Sequence, residues 1–260
     1  HRVEKPGRYI GGEYICRTPL QTREPENDKT LCVALSYPDL YEIGMSNNAI
    51  RIIYSLLNSL PGIRCERVFA PAPDFEEELR KKEIPLYSLE TGKSLLDFDI
   101  IGFSFGYELC ATNILTILDL GKINLKKEER EENTPVILAG GPAVTNPMPM
   151  SPFIDCFFIG EAEGRIEKLF TDLRDIKISG GKRKDFIQRL REESCIWPGK
   201  NQQPGAVKNT WMGFSSIPFI PAFPIPNIRV VQDHGVTEIM RGCPNKCRFC
   251  HAGIFYRPYR

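Results

Sequence analysis

Asp99-Ile-Ile-Gly-Phe-Ser-Phe105 is a run of strand length in which most side chains are apolar. A continuous apolar run is typical of a strand that is buried on both faces of a sheet. The stretch that follows, Leu109–Leu120, is rich in apolar residues, has helical length and ends at Gly121, a residue common at helix C-termini. The two stretches together predict a buried strand followed by a covering helix.

The same alternation extends on both sides of residues 99–120. We expect four further strands, at 31–35, 65–69, 135–139 and 154–159. We expect four further helices, at 47–60, at 74 to about 83 with Asp74 as its cap, at 163–175 and at 182–193. Apolar strands that alternate with helices predict βαβ units and a parallel sheet covered on both faces. The predicted fold is therefore α/β, a doubly wound parallel sheet of the flavodoxin-like or Rossmann-like type.

The loops that follow the strands define the functional edge of such a fold. In doubly wound sheets, ligands bind outside the carboxyl ends of the strands. This rule places the loops 36–46, 104–108 and 140–146 on one edge, where we expect a ligand site.

A second feature lies near the end of the sequence, in Arg241-Gly-Cys243-Pro-Asn-Lys-Cys247-Arg-Phe-Cys250. The three cysteines have C-x3-C-x2-C spacing and follow Val236–Met240, which the pattern predicts to be a strand. Three thiolates so close together suit an iron–sulfur cluster or a soft metal. Three protein ligands also leave one coordination position free, as a reactive site requires.

A structural zinc site is the alternative for this loop. Such sites usually have four ligands, and only Cys247 and Cys250 form a C-x2-C pair here, so His251 or His234 would have to complete the set. A disulfide framework fits poorly, because the chain has nine cysteines, an odd number, and exceeds the small stapled class. The remaining cysteines are scattered, and three of them lie in apolar runs that favour burial: Cys32, Cys110 and Cys156.

The cysteine spacing resembles the signature of the radical S-adenosylmethionine (radical SAM) enzymes. The resemblance implies that Cys243, Cys247 and Cys250 ligate a [4Fe–4S] cluster as a metal site. It also implies that the fourth iron chelates SAM and that Phe249 packs near this cofactor. SAM would be cleaved reductively to methionine and a 5′-deoxyadenosyl radical. The resemblance further implies a reductant such as flavodoxin or ferredoxin, and a substrate that it does not identify.

The loops of the predicted sheet resemble those of cobalamin (B12)-binding domains. The residues Asp39, Tyr41 and Gly44 match the family motif D-x-H-x-x-G, with Tyr in place of the cobalt-ligating His. The chain has three histidines and none lies in the sheet region, so cobalamin would bind without a histidine ligand from this domain. The later loops add further candidate cofactor-binding residues, namely Ser104, Gly140 and Gly141.

The segment Gly160–Gly164 resembles a GEGE-like turn of these proteins. The alternative is an ordinary turn whose glutamates favour the N-terminal end of the next helix.

The basic tail is similarly open to two interpretations. Arg257 and Arg260 are either part of an exposed loop or contacts for a cofactor carboxylate or an anionic substrate.

The order of these segments is similar to that of radical SAM proteins with an N-terminal B12-binding-like domain, and of a large bacterial subgroup in particular. The resemblance covers residues 31–260 and is most specific at 238–258. It implies an irregular lead-in at 1–30, a B12-binding-like domain at 31–195, a Pro-rich connector at 196–232 and the start of a partial β/α-barrel radical SAM core at 233–260. The sequence begins with His1 and ends ten residues after Cys250, so we expect a piece of a longer protein that does not turn over by itself.

Composition excludes several classes of function. The net charge of +1 gives no electrostatic signal for nucleic acid, and no run approaches the roughly 18 apolar residues of a membrane span. Free cysteines without a secretion signal predict a cytoplasmic protein. Two function classes then remain. One is a radical SAM enzyme, with or without cobalamin-assisted methyl transfer. The other is a non-catalytic zinc or iron–sulfur binding module with a nucleotide- or partner-binding α/β domain.

Overall fold

The computed structural model describes residues 3–14, 27–197, 199, 205–214, 223–233 and 235–260. Within these residues, six strands form one sheet. They are β1 (Leu31–Tyr37), β2 (Ile63–Phe69), β3 (Ile100–Ser104), β4 (Val136–Gly140), β5 (Cys156–Phe158) and β6 (Ile196–Trp197). Their order in the sheet is β2-β1-β3-β4-β5-β6. Strands β1 to β5 are parallel, and β6 runs antiparallel to β5.

The strand order 2-1-3-4-5 is that of flavodoxin-like sheets, so the predicted doubly wound parallel sheet is confirmed. The edge strand β6 was not predicted, because it has two residues and no periodicity to recognise. The order in which strands are added to the sheet reverses between β1 and β3, and such sheets bind ligands at this point. The loops 36–46, 104–108 and 140–146 follow β1, β3 and β4 and share one edge, as expected.

Helices cover both faces of the sheet. They are α1 (Tyr41–Gly44), α2 (Asn48–Ser59), α3 (Pro73–Lys81), α4 (Ala111–Leu120), α5 (Ile166–Ile178), α6 (Arg183–Arg191) and α7 (Ala252–Phe255). One face packs against α2, α5 and α6 around buried residues of β1 and β4, and the opposite face packs against α3 and α4. Among the described residues, no helix combines the length and the apolar character that a membrane crossing needs.

The helices begin one to three residues from their predicted starts, and the structure gives a physical reason for two of these differences. Helix α3 begins at Pro73 with Ala72 as its cap, because proline has a helical φ and needs no hydrogen-bond partner at this position. The Asp74 carboxylate instead accepts hydrogen bonds from the amides of Phe75 and Glu4. Helix α5 begins three residues later than expected, since Gly164 has a φ of +74°, which is incompatible with a helix.

The predicted strand at 236–240 is wrong. The segment has no strand assignment, and the side chain of Ile239 is 82% exposed. A strand requires a neighbour whose backbone groups complete the ladder, and no strand in the described part of the chain lies beside this segment.

The described part of the lead-in is anchored to the domain by buried ion pairs. The guanidinium of Arg8 donates two hydrogen bonds to Glu42, at 2.7 and 2.8 Å. The Glu13 carboxylate accepts hydrogen bonds from Arg67, whose side chain is 1% exposed. Most of the Pro-rich stretch 217–226 lies outside the described residues, as do Cys16 and His234.

Candidate functional site: a glycine-floored cavity beneath the cysteine loop

A cavity of about 300 Å³ lies between the sheet and helices α2 and α5. This volume is at the lower end of the range of small-molecule sites. The inner wall is apolar, with side chains from three parallel strands and two helices. These residues are Val33, Leu35, Leu138, Phe158, Ile52, Ile53, Leu57, Ile166 and Phe170.

The cavity exists because two glycines occupy neighbouring strands on this face. Gly102 pairs with Leu35 on one side and Leu138 on the other. Gly140 pairs with Ser104 and Phe158. A Cβ atom added to Gly102 would lie no closer than 4.0 Å to any neighbour, and one added to Gly140 no closer than 3.8 Å. Each strand therefore leaves open space where another residue would have a side chain, and this space forms the floor of the cavity.

The mouth of the cavity is polar and lies at the carboxyl edge of the sheet. Ser104 is the last residue of β3, and Gly141 follows β4 with a φ of +109°. A Cβ added to Gly141 would lie 2.6 Å from the carbonyl oxygen of Phe105. Residues from outside the sheet close the top. They are Lys208, Asn209, Glu238, Arg241, Phe255 and Tyr256.

Two carboxylates after β5 connect this mouth to the cysteine loop (residues 241–260). We call Gly160–Gly164 the acidic turn. Its Glu163 accepts a 2.8 Å hydrogen bond from Arg241, and its Glu161 lies 3.5 Å from the same guanidinium. Glu161 also accepts hydrogen bonds from Arg260 and from the Trp211 amide.

The electrostatics of the acidic turn favour charged partners. Burial alone would raise the pKa of Glu161, but hydrogen bonds from Arg260 and the Trp211 amide hold this pKa below its usual range. Burial alone would lower the pKa of Arg241, whereas its hydrogen bonds to Glu238 and Glu163 raise it. The Arg241 guanidinium also lies over the ring of Phe214, 5.3 Å from its centroid. These groups therefore stay ionised at neutral pH.

The cysteine loop is closed at its base. Arg241 and Arg260 exchange two backbone hydrogen bonds of 2.8 Å each. Lys208 donates hydrogen bonds to the carbonyls of Phe255 and Arg257, at the C-terminal end of α7. The loop thus has a rigid base, and its cysteines lie between the two paired arginines.

The cysteines themselves are accessible. Cys247 is exposed, Cys243 and Cys250 are half-buried, and all three are free thiols. Phe249 is 93% exposed and packs on nothing in the described chain. The donor type and the accessibility suit a thiolate-held cluster, although no three Cys, His, Asp or Glu side chains among the described residues are arranged to hold a metal ion.

His251 has one partner on the sheet domain and one within the cysteine loop. Its Nε2 lies 3.2 Å from the hydroxyl of Thr145, and its ring stacks on Phe255.

The other described cysteines are all buried, namely Cys32, Cys65, Cys110, Cys156 and Cys195. The burial expected for Cys32, Cys110 and Cys156 is therefore confirmed.

The structure separates the predicted cobalamin-loop residues into two groups. Ser104, Gly140 and Gly141 line the cavity. The other three, Asp39, Tyr41 and Gly44, do not.

The second group has internal partners instead. Tyr41 is buried and donates a hydrogen bond to Glu13. Gly44 lies against the ring of Phe69. Asp39 accepts a hydrogen bond from the hydroxyl of Tyr107.

The sequence interpretation missed several residues of the site. Gly102 carried a usable signal, because a glycine inside a strand often marks the close approach of a ligand. Lys208 and Asn209 carried none, since they lie in an irregular segment. The partners of the basic tail were also missed. Arg260 binds Glu161, and Arg257 donates a weak 3.4 Å hydrogen bond to the carbonyl of Asn245.

Comparison with known families agrees with this architecture. Residues 49–197 match the family described as "Radical SAM proteins, N-terminal". The chain belongs to this family. The matched region contains the glycine floor and the acidic turn, and it ends before the cysteine loop.

A relative extends the comparison to most of the chain. An uncharacterized protein of Methanocaldococcus jannaschii is 26% identical over 231 residues, which cover 88% of this chain and 42% of that protein. The chain therefore spans less than half the length of this relative. No solved structure matches the chain.

Proposed function

We propose that the protein is the cofactor-binding part of a radical SAM enzyme. In this proposal Cys243, Cys247 and Cys250 ligate a [4Fe–4S] cluster that binds SAM, and the cavity takes part of a cobalamin. The single observation that carries the proposal is the position of a loop with three accessible thiols at the mouth of an apolar cavity, in a chain of the radical SAM family.

The cluster, when bound with SAM, supplies the electron for reductive cleavage of SAM. The chain's own residues hold the loop that ligates it. The reciprocal backbone bonds of Arg241 and Arg260 close the loop, and Lys208 fixes the end of α7. The three cysteines lie within eight residues, so one short loop carries all three thiols.

The cavity fits a planar, mostly apolar group. Its floor is flat where Gly102 and Gly140 lack side chains, and its walls are Leu, Ile and Phe. The base of the cobalamin nucleotide tail is such a group, whereas the corrin ring is larger than the cavity. Cobalamin would supply methyl transfer to an unreactive carbon; without it, hydrogen abstraction followed by rearrangement or thiol insertion is the expected chemistry.

The residues near the mouth would orient this ligand. The Ser104 hydroxyl and the Asn209 side chain lie at the cavity wall, although Asn209 already donates to the carbonyls of Glu161 and Glu163. Tyr41 is directed to Glu13 and supplies no cobalt ligand. Cobalamin would therefore be held here without a cobalt ligand from the loop after β1.

The test uses the full-length natural protein that carries this chain. It is reconstituted anaerobically with iron and sulfide, reduced, and incubated with SAM, and 5′-deoxyadenosine is measured. We expect product from the native protein and none from Cys247→Ala. Cys195→Ala is the matched control, because Cys195 is buried in the hydrophobic core and lies outside the cysteine loop.

Hydroxocobalamin binding is measured separately by its visible spectrum. If 5′-deoxyadenosine forms but hydroxocobalamin does not bind, the radical SAM reaction stands and the assignment of cobalamin to the cavity fails. A protein that purifies with zinc, takes up no iron and forms no product would contradict the proposal. It would favour the non-catalytic binding module instead.

A further inference from the structure

The roof and the floor of the cavity come from different parts of the chain. The floor is the sheet with its two glycines, and the roof is formed by Glu238 and by Arg241, Phe255 and Tyr256 of the cysteine loop. Ion pairs between these parts run from the acidic turn to Arg241 and Arg260.

We propose that Glu161 and Glu163 are positioning residues that seat the cysteine loop on the sheet domain as the roof of the cavity. The inference rests on the proposed function for its reaction, since it concerns the loop that would hold the cluster. It goes beyond that function by assigning a role to the acidic turn and by linking the cavity to the loop.

The first support is the way the two arginines are shared. Arg241 lies two residues before Cys243, and Arg260 lies ten residues after Cys250. Glu161 contacts both guanidiniums, at the two ends of the loop. A single carboxylate therefore holds both ends of the loop to the same point of the sheet edge.

The second support is burial. The side chain of Arg241 is 11% exposed, and those of Glu161 and Glu163 are 15% and 12% exposed. Ion pairs this well buried are costly to break, because the partner left behind is a charge without compensation. The acidic turn is held in place by Asn209, which donates hydrogen bonds to the carbonyls of Glu161 and Glu163.

The third support is that both carboxylates and Arg241 also line the cavity. A ligand that reaches the mouth contacts the groups that seat the loop. Two events that share the same groups are coupled, and the coupling is reciprocal. Occupation of the cavity should therefore change how firmly the loop is seated, and seating of the loop should change ligand affinity by the same factor.

The first experiment measures amide hydrogen exchange in the iron-free full-length protein. The variants are Glu161→Gln, Glu163→Gln and the double variant. Glu76→Gln is the control, because Glu76 pairs with Arg80 on an exposed surface of α3, outside the acidic turn and the cysteine loop. We expect the amides of Arg241 and Arg260 to exchange about tenfold faster or more in the acidic-turn variants, because a charged hydrogen bond is lost. Exchange in β1, β3 and β4 should not change.

The second experiment separates positioning from general stability. Glu163→Gln, Arg241→Gln and the double variant form a double-mutant cycle. We expect the amides of the cysteine loop to exchange no faster in the double variant than in the more damaging single variant. After reconstitution, the change that SAM causes in the electron paramagnetic resonance spectrum of the reduced cluster should need about tenfold more SAM in Glu163→Gln, at unchanged iron content.

Each outcome has a separate meaning. Exchange rates equal to those of Glu76→Gln, or faster exchange throughout the sheet, would overturn the seating role. If the native protein takes up no cluster, the proposed function fails, whereas the exchange experiment still decides whether the acidic turn seats the loop.

Discussion

The hydroxyl of Tyr41 donates a 2.9 Å hydrogen bond to Oε1 of Glu13. Tyr41 occupies the position at which the similar cobalamin motif has its cobalt-ligating histidine, yet its side chain is buried beside the ion pair of Glu13 and Arg67. Burial, and then the negative charge of Glu13, raise the pKa of Tyr41, so its hydroxyl remains a donor. In this protein the position belongs to the core and not to the ligand site.

Tyr41→Phe tests this assignment. The substitution removes one hydrogen bond and leaves Glu13 paired with Arg67, so we expect the free energy of unfolding to fall by about 1 kcal/mol. Urea denaturation measures the change. Hydroxocobalamin affinity should equal that of the native protein, and a loss of affinity at unchanged stability would return Tyr41 to the ligand site.

Gly44→Ala distinguishes a packing glycine from a ligand-binding one. A Cβ at this position would lie 2.2 Å from the Phe69 ring, which is far inside contact distance. We expect a loss of about 1–3 kcal/mol of stability, as for other overpacked cores. Thermal unfolding checks this expectation. Gly92→Ala is a poor control, because Gly92 has a φ of +72° and alanine would be strained there. Gly205→Ala serves better, since nothing lies within 4 Å of its added Cβ.

Substitution of Gly102 should fill the cavity without damaging the fold. Gly102 is in a regular strand, and a Cβ there is 4.0 Å from Leu35. We expect Gly102→Ala to retain ligand binding and Gly102→Val to abolish it, with stability unchanged or raised because valine favours strands. Calorimetric titration with hydroxocobalamin and thermal unfolding of both variants make the comparison. Full binding by Gly102→Val would show that the ligand lies elsewhere.

The stability of the protein should depend on pH through Glu42. Burial alone would raise the pKa of this carboxyl, but the hydrogen bonds from Arg8 hold it below its ordinary value of 4.5. A pKa lower in the folded than in the unfolded chain stabilises the fold above the unfolded value, and the stabilisation is lost as the pH falls through the folded value.

Glu42→Gln should therefore cost about 2 kcal/mol at neutral pH, and the difference from the native protein should shrink progressively below about pH 4.5. Urea denaturation at several pH values measures it. Glu76→Gln, which breaks an exposed ion pair, should change stability by less than about 1 kcal/mol at any pH. A constant difference across the acid range would contradict the assignment of Glu42.

The predictability of the fold differs from that of the site for a physical reason. Each strand of the sheet is a short run that must be apolar on both faces, as at 31–35 and 135–139, and this requirement is visible locally. Helix ends were predicted less well, because Gly164 and Pro73 change where a helix begins by one turn or less. The exposed segment 236–240 has a strand-like pattern, but pairing depends on neighbours that a pattern does not contain.

The sequence by itself determined the α/β class, the parallel sheet, the edge at which the loops gather and the C-x3-C-x2-C spacing, since each is written in residues close together in the chain. Only the tertiary structure decided which residues meet at the site. Gly102 and Gly140 form one floor because their strands are adjacent, and Glu161 meets Arg241 and Arg260 across 80 to 99 positions. The tertiary structure also places the hydroxyl of Tyr41 against the carboxylate of Glu13. Contacts of this kind depend on how separate segments pack, and no local pattern encodes that packing.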